Sequence, residues 1–377
     1  MTLFRRYKFE IAVIFIWSIC AISKLMYNGL ILGFDYGIYQ PDGKYYTYMA
    51  LDILKQNPIQ SAQEVVNWYA IHGFKMQVFT VEDLIPSTSP VYHLISHRIL
   101  YPLLSVPFVA MLGIPGMLVI PTLSLLVLML SIQVLANRAK RPLIGLVLVF
   151  LLSVSPTVSR WMILNCTDSL LTAIYALVPF AIIAFEKSKR NGFFLLGLLI
   201  LLTSATRFTL PIWIAIFGVL FLRKIHRKEL VLLVGLSFVA AIPALIAQSS
   251  TALLPGETEA SLVSKILQLP ISFVKVISID VLQFGVLDRL LLVILILALT
   301  QAFRLWRNLS SSIFLGVFLA AYFIGAINGT LGVNFRYQLP VLIFCCWVLI
   351  DSFDTTNGRL TLVSPIKRHI KLDKTEQ

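Results

Sequence analysis

Long apolar runs and short basic turns alternate along this chain. A helix needs about 20 apolar residues to cross a bilayer, and ten runs approach that length. They lie near residues 9–31, 113–136, 142–158, 166–185, 192–206, 208–223, 230–248, 284–303, 311–328 and 335–353. The pattern predicts an all-α polytopic membrane protein with about ten transmembrane helices, forming a single transmembrane domain over residues 1–377.

Basic residues gather in six clusters beside these runs. The clusters are Arg5/Arg6/Lys8, Arg138/Lys140/Arg141, Lys187/Lys189/Arg190, Arg223/Lys224/Arg227/Lys228, Arg304/Arg307 and Lys367/Arg368/Lys371/Lys374. Ten crossings put all six on one side, which the positive-inside rule makes cytoplasmic. We therefore expect both termini in the cytoplasm, and residues 354–377 as a basic cytoplasmic tail. The compactness of the chain favours a bacterial plasma (inner) membrane.

Composition agrees with a membrane environment. Hydrophobic residues make up 58% of the chain and charged residues only 13%, which is too little charge to cover the surface of a soluble domain. The net charge of +13 is then explained by the cytoplasmic turns and by contact with membrane lipids. No nucleic-acid partner is expected.

The segment 32–112 is predicted to be a large first external loop. A short helix is expected from near Asp42 to just before Pro58, and a second from Ser61, with Glu64 at the capping-box position. Both helices are too polar to cross a bilayer. Their many Tyr and Trp side chains suit the headgroup layer, so we expect them on the outer membrane surface.

Two further stretches are predicted to stay on the outer side. Residues 99–112 are apolar but short for a crossing, and they contain Pro102 and Pro107. These features favour a re-entrant or interfacial piece. The stretch Gln248–Gln283 is interpreted as an outer connection between two spans.

Asp42, in the segment PDGKYYTYMA, is the first candidate for chemistry. A carboxylate at a lipid–water boundary can serve as a general base. The alternative is that Asp42 only caps the helix that follows it. Asp35 is a second acidic candidate near the same boundary, either for substrate binding or as a solvated loop residue.

The segment YHLISHR places His93 and His97 four residues apart, followed by Arg98. Two imidazoles on one helix face can bind a metal ion, but no third ligand lies nearby in the sequence. Hydrogen bonding to a phosphate or sugar, with Arg98 supplying the charge, is one alternative, and a plain interfacial position is another. No cofactor follows from the sequence, and use of a divalent cation stays open.

Arg207 in TSATRFTLP and Arg336 in NFRYQLP each begin a span from the outer side. The arginine fork suits phosphate; the alternative is that each Arg extends to lipid headgroups. Asp168 is predicted to pair with Arg160 or Arg207, or to contact substrate. Ionisable groups at membrane depth mark paired or functional positions, so we expect one polar cavity that opens outward.

These segments together resemble the GT-C superfamily of polytopic glycosyltransferases, which includes protein mannosyltransferases and aminoarabinose transferase. The likeness rests on Asp42-Gly43-Lys44-Tyr45-Tyr46, on HRILYPLLS (His97 to Ser105), on NCTDSLLTAIYALVPFAI with Asp168, and on TRFTLP and FRYQLP. One departure from the family is that its frequent acidic pair is Asp-Gly here, and another is that no sizeable soluble domain is expected after the last span. The resemblance implies a GT-C-like fold with a large first external loop.

The resemblance also implies an inverting transfer of a sugar from a polyprenyl-phosphate donor to a glycan, lipid or protein acceptor on the outer face. Asp42 would be the general base, and Arg98, Arg207 and Arg336 would bind the donor phosphate. The implied substrate-binding residues are Asp35, Tyr46, His93, His97, Tyr101, Asp168 and Tyr337. The alternatives are a transporter or flippase of a lipid-linked saccharide, and a non-catalytic membrane subunit.

Overall fold

A computed structural model describes residues 7–26, 42–72, 79–86, 89–251, 267–327, 337–354 and 361–362. Its helices are α1 (Lys8–Met26), α2 (Gly43–Lys55), α3 (Pro58–His72), α4 (Pro90–Ser96), α5 (Leu100–Leu112), a 3-10 helix (Ile114–Leu118), α6 (Val119–Arg138), α7 (Pro142–Val154), α8 (Pro156–Trp161), α9 (Thr167–Ala176), α10 (Val178–Lys187), α11 (Lys189–Ser204), α12 (Leu210–Leu222), α13 (Arg227–Thr251), α14 (Leu269–Leu287), α15 (Arg289–Arg304), α16 (Leu309–Ile327) and α17 (Val341–Ser352). Two short antiparallel strands, β1 (Phe353–Asp354) and β2 (Thr361–Leu362), follow α17.

Within the described residues, six helical segments are long and apolar enough to cross a membrane. They are Lys8–Met26, Ile114–Arg138, Thr167–Lys187, Arg227–Ala247, Leu269–Leu287 and Leu309–Ile327. The protein is therefore a helical membrane protein, as its sequence predicts. Five of these segments match predicted spans, and shorter helices (α7, α11, α12, α15 and α17) occupy the other five.

The basic connections between helices gather at one end of the bundle. Asn137 Nδ2 donates to Glu10 Oε1 at 2.6 Å, and Arg141 donates to the Ile350 carbonyl. These contacts join the start of α1, the α6–α7 turn and the end of α17. Further contacts join the other turns: Lys189 with Glu229, Arg223 with Arg307, and Ser310 with Asp351.

We call this the basic-turn end. It is defined by the connections at 137–142, 187–189, 223–227 and 305–309. Four of the six predicted basic clusters lie there; residues 1–6 and 363–377, which carry most of the other two, are outside the described residues. The opposite end, where α11 finishes and α12 begins, is called the far end.

Helix α14 has the length of a span, but its contacts are with the far end. The Phe273 ring lies 6.4 Å from the ring of Tyr322, and Val276 packs beside Gly325. Tyr322 and Gly325 belong to the last two turns of α16, which begins at the basic-turn end. The first half of α14 therefore lies against the far end of α16.

The end of α14 is also fixed at the far end. Asp288, which follows it, accepts hydrogen bonds from Ser155 Oγ and from the Thr157 N–H at 3.0 Å, where α8 begins. The same carboxylate caps α15 through the Leu291 N–H at 3.1 Å. Both halves of α14 thus contact far-end residues. Because α14 is also long and apolar enough to cross a membrane, the outer connection interpreted from the sequence stays a prediction.

The chain reverses after α5 and packs back along this helix at the far end. Gly113, with a positive φ of 68°, ends α5 and reverses the chain. A Cβ on Gly116 would lie 2.3 Å from the Phe108 carbonyl oxygen, so the 3-10 helix packs directly against α5. The Tyr101 hydroxyl lies 2.8 Å from the Met117 carbonyl oxygen, which brings the start of α5 and the start of α6 together.

Helix α3 begins three residues before the predicted position. The predicted start with Ser61 and Glu64 is wrong, because α3 begins at Pro58 and Ser61 lies within it. Asn57 supplies the first turn with a side-chain acceptor, since its Oδ1 takes the Gln60 N–H at 3.1 Å.

An aromatic stack fills the core beneath the far end. The Trp213 ring lies 5.5 Å from Phe217 and 5.7 Å from Tyr175, and its Nε1 donates to Thr203 Oγ1 at 2.8 Å. Buried aromatic rings contribute large apolar areas, and a buried indole N–H needs an acceptor. The stack therefore anchors the end of α11 and the start of α12, on either side of Arg207.

Candidate functional site

Polar side chains from five parts of the chain meet at the far end. They come from the start of α2, the α4–α5 turn with the start of α5, the start of α9, the α11–α12 connection and the segment just before α17. The Leu100 N–H donates to the Ala205 carbonyl at 3.2 Å, so the α4–α5 turn is tied to the α11–α12 connection. We call the resulting group of residues, which the next paragraphs describe, the far-end cluster.

Asp42 faces a cation. It stands at the N-cap position of α2, but its side chain makes no capping hydrogen bond. Its Oδ2 lies 3.8 Å from Arg98 Nη1, with the Arg98 side chain 13% exposed and that of Asp42 29% exposed. The structure therefore favours a charge-paired carboxylate at the edge of the cluster over the alternative of a helix cap.

Tyr46 connects this pair to the interior. Arg98 Nη1 donates to the Tyr46 hydroxyl at 3.0 Å, and that hydroxyl lies 3.5 Å from Thr167 Oγ1. The Tyr46 ring is buried and meets the Tyr101 ring edge-on, with 5.5 Å between centroids. The polar path from Asp42 thus reaches the first residue of α9.

Asp168 and Arg207 form a buried ion pair next to Thr167. Their side chains are in hydrogen-bond contact, and the two residues are only 1% and 6% exposed. The guanidinium carbon of Arg207 lies 4.1 Å from the centre of the Tyr337 ring. Of the two partners predicted for Asp168, the structure selects Arg207.

Asn165 is a polar residue whose position in the cluster the sequence did not reveal. Its Oδ1 lies 2.7 Å from the Tyr101 hydroxyl, and its Nδ2 lies 3.1 Å from Thr47 Oγ1 and 3.3 Å from the Tyr69 hydroxyl. One amide therefore joins α2, α3 and α5. The signal that could have found it was the placement of an Asn between two apolar runs.

Gly43 is required where the chain departs from the acidic pair of the GT-C pattern. A Cβ at this position would lie 2.8 Å from the Asn165 carbonyl oxygen and 3.0 Å from its Nδ2. Backbone oxygen cannot move aside as a flexible side chain can. The close packing of α2 on Asn165 thus leaves no room for a second carboxylate directly after Asp42.

We expect Gly43→Ala to destabilise the protein by about 1–3 kcal/mol, since an added methyl in a full core forces backbone shifts. Unfolding in mixed detergent micelles would measure the change. Gly235→Ala is the matched control, because nothing lies within 4 Å of a Cβ there and Ala is the better helix former. Equal stability of the Gly43→Ala and Gly235→Ala proteins would contradict this prediction.

Lys44 adds a second cation beside Asp42. Its Nζ lies 4.3 Å from the centre of the Phe79 ring and 5.2 Å from that of Tyr45. Burial lowers the pKa of Lys44, while the nearby carboxylates of Asp83 and Asp42 oppose that shift. Sequence reasoning assigned Lys44 no role, because a lysine beside a loop is usually solvated.

The two predicted histidines lie toward the end of one short helix. Helix α4 ends at Ser96, and His97 is its C-cap residue with a right-handed helical backbone, while His93 is exposed and meets Tyr92 edge-on at 6.3 Å. Among the described residues, no group of three or more His, Cys, Asp or Glu side chains could hold a metal ion.

The far-end cluster contains seven of the predicted site residues: Asp42, Tyr46, Arg98, Tyr101, Asp168, Arg207 and Tyr337. Two others, Asp35 and Arg336, lie outside the described residues. His93 is exposed, and His97 directly precedes Arg98 at the end of α4. The arrangement can offer a carboxylate at an accessible edge and cations beside it. Beneath them lies a layer of buried, hydrogen-bonded polar side chains, which we call the floor of the cluster.

Comparison with models of protein families, with curated proteins and with solved structures returned no match to the chain.

Proposed function

We propose that this protein is an integral membrane glycosyltransferase of GT-C type. It moves a sugar from a polyprenyl-phosphate donor to an acceptor at the far end of the bundle. In this proposal the chain crosses the membrane ten times, through α1, α6, α7, the α9–α10 pair, α11, α12, α13, α15, α16 and α17. The basic-turn end faces the cytoplasm, as the positive-inside rule favours, and the far end faces outward.

The single observation that carries the proposal is the pairing of Asp42 with Arg98 at the edge of the far-end cluster. Their separation of 3.8 Å and their partial exposure put an acid and a cation at one accessible place. An exposed ion pair adds little stability wherever it lies, so stability alone does not explain why this pair is placed here. Here it stands on a floor of buried hydrogen bonds through Tyr46, which holds the guanidinium in place.

The chemistry follows from these positions. The acceptor hydroxyl transfers its proton to the Asp42 carboxylate as its oxygen attacks the anomeric carbon of the donor. The bond between that carbon and the phosphate oxygen breaks at the same time, so the configuration inverts. Arg98 stabilises the negative charge that develops on the departing polyprenyl phosphate.

Arg207 contributes in a different way from the phosphate ligand that the resemblance implies. Its guanidinium is already paired with Asp168 and lies over Tyr337. In the proposed enzyme this buried group holds the start of α9 and the segment that contains Tyr337 in register beneath the substrates. Among the described residues, donor phosphate binding then falls to Arg98, with Lys44 as a further cation that interacts with Asp42.

The proposal is tested by turnover in proteoliposomes that contain the purified protein. Radiolabelled polyprenyl-phosphate hexoses and pentoses are supplied with glycan, lipid and peptide acceptors, and the label is followed by chromatography. We expect label to move to an acceptor and polyprenyl phosphate to accumulate in equal amount. Translocation of the intact donor across the bilayer, without cleavage of its sugar–phosphate bond, would establish the transporter alternative and overturn the proposal.

A further inference from the structure

A second site lies at the basic-turn end, away from the far-end cluster. A half-open cleft of about 740 Å³ is formed between α6, α10, α11 and α17, a size typical of small-molecule sites. Its apolar lining includes Leu135, Phe180, Ile183 and Trp347. The proposed transfer reaction uses none of these residues.

Charged groups occupy the outer rim of this cleft. Arg138 lies one helical turn beyond Leu135, and Lys187 lies two turns beyond Phe180. The guanidinium carbon of Arg138 is 4.8 Å from the centre of the Phe180 ring, a cation–π contact at the wall of the cleft. The lining therefore combines apolar and aromatic side chains with cations toward the basic-turn end.

One carboxylate also lines the rim. Asp351 Oδ2 accepts a hydrogen bond from Ser310 Oγ at 2.7 Å, so part of its acceptor capacity is used inside the protein. Two cations against one carboxylate leave a net positive rim. The neighbouring turns are basic as well, which attracts negative charge to this end.

We infer that this cleft binds an anionic phospholipid from the leaflet at the basic-turn end. The phosphate would meet Arg138 and Lys187, and an acyl chain would lie against the apolar walls. A soluble anion would leave those walls uncovered, and a zwitterionic lipid would bring an extra cation to a cationic rim. Basic pockets between membrane helices bind anionic headgroups for these reasons. The inference is independent of the proposed function.

The test is native mass spectrometry of the purified full chain in detergent with added dioleoylphosphatidylglycerol, dioleoylphosphatidylcholine or polyprenyl phosphate. We expect one saturable phosphatidylglycerol per protein, bound more tightly than the other two. In the Arg138→Gln/Lys187→Gln variant its affinity falls by about 30-fold, because two basic contacts to the headgroup are lost. The matched control is Lys140→Gln/Arg190→Gln, which removes two exposed cations of the same turns that do not line the cleft.

A second variant probes the apolar part without a change of charge. Ala184 lines the cleft, and Ala184→Phe fills it, so phosphatidylglycerol affinity should fall in this protein too. Unchanged affinity in Ala184→Phe, or equal losses in the two charge variants, would mean adsorption to basic turns and would overturn the site. Tighter binding of polyprenyl phosphate would assign the cleft to a different lipid and overturn the inference as stated. The midpoint temperature of thermal unfolding, measured without lipid, identifies any variant that misfolds. The phosphatidylglycerol affinity of the other variant then tests the inference.

Discussion

Asp42→Asn should reduce the turnover number for sugar transfer by about 10²- to 10⁴-fold, the contribution of a positioned general base. Asparagine has nearly the same shape, and its side-chain oxygen can occupy the same place beside Arg98. It cannot take the proton of the acceptor hydroxyl at neutral pH. Steady-state kinetics in proteoliposomes would show the loss in kcat, with the KM for the donor nearly unchanged.

The control for this prediction is Asp52→Asn, which removes another carboxylate. Asp52 belongs to the same helix, α2, and lies nine residues after its first residue, Gly43. Asp52 is half-buried, burial raises its pKa, and it lies outside the far-end cluster. The Asp52→Asn protein should keep the wild-type rate. If Asp42→Asn also keeps that rate, Asp42 is not the base. The pairing of Asp42 with Arg98 then no longer supports the proposed function.

Sequence reasoning was most successful where local pattern decides structure. A run of apolar residues must be helical in lipid, since its backbone groups have no water to bond. The bounds of α2 follow equally from local signals, because Pro58 excludes a longer helix. Short basic turns at one end of the bundle follow from the same alternation of apolar and cationic segments.

Contacts between distant segments were harder to predict. Asp42 and Arg98 are 56 positions apart, and nothing local to either residue specifies the other. Asn165 lies three positions before Asp168, but α9 begins only at Thr167, and the Asn165 side chain contacts Tyr101. These juxtapositions depend on how α2, α5 and α9 pack, and that packing is set by tertiary fit.

The histidine spacing could not identify the residue that enters the cluster. His93 and His97 lie four positions apart, with His97 as the C-cap residue of α4. The next residue, Arg98, contacts Asp42 and Tyr46, and these contacts depend on how the α4–α5 turn packs against α2. Spacing places residues on a helix face, but it does not specify which segment that face meets.

The second large effect is expected at the buried ion pair. Asp168→Asn should lower the free energy of unfolding by about 3–5 kcal/mol, because it leaves the Arg207 cation buried without its counter-charge. Arg207→Gln should cost a similar amount, since the Asp168 carboxylate then stays buried alone. Both residues are nearly inaccessible to water, so solvent cannot replace the lost partner. Unfolding by a denaturing detergent in mixed micelles, followed by tryptophan fluorescence, would measure these changes.

The double variant Asp168→Asn/Arg207→Gln separates charge from packing. Two neutral amides can hydrogen-bond to each other, so the double variant should be more stable than either single variant. Glu64→Gln is the comparison at an exposed pair, because Glu64 and its partner Lys55 have side chains 40% and 30% exposed; its cost should stay within about 1 kcal/mol. Strictly additive losses at Asp168 and Arg207 would mean that the two charges do not depend on each other. The buried pair would then not be what holds α9 against the α11–α12 connection, and the rigid floor beneath Asp42 would need another origin.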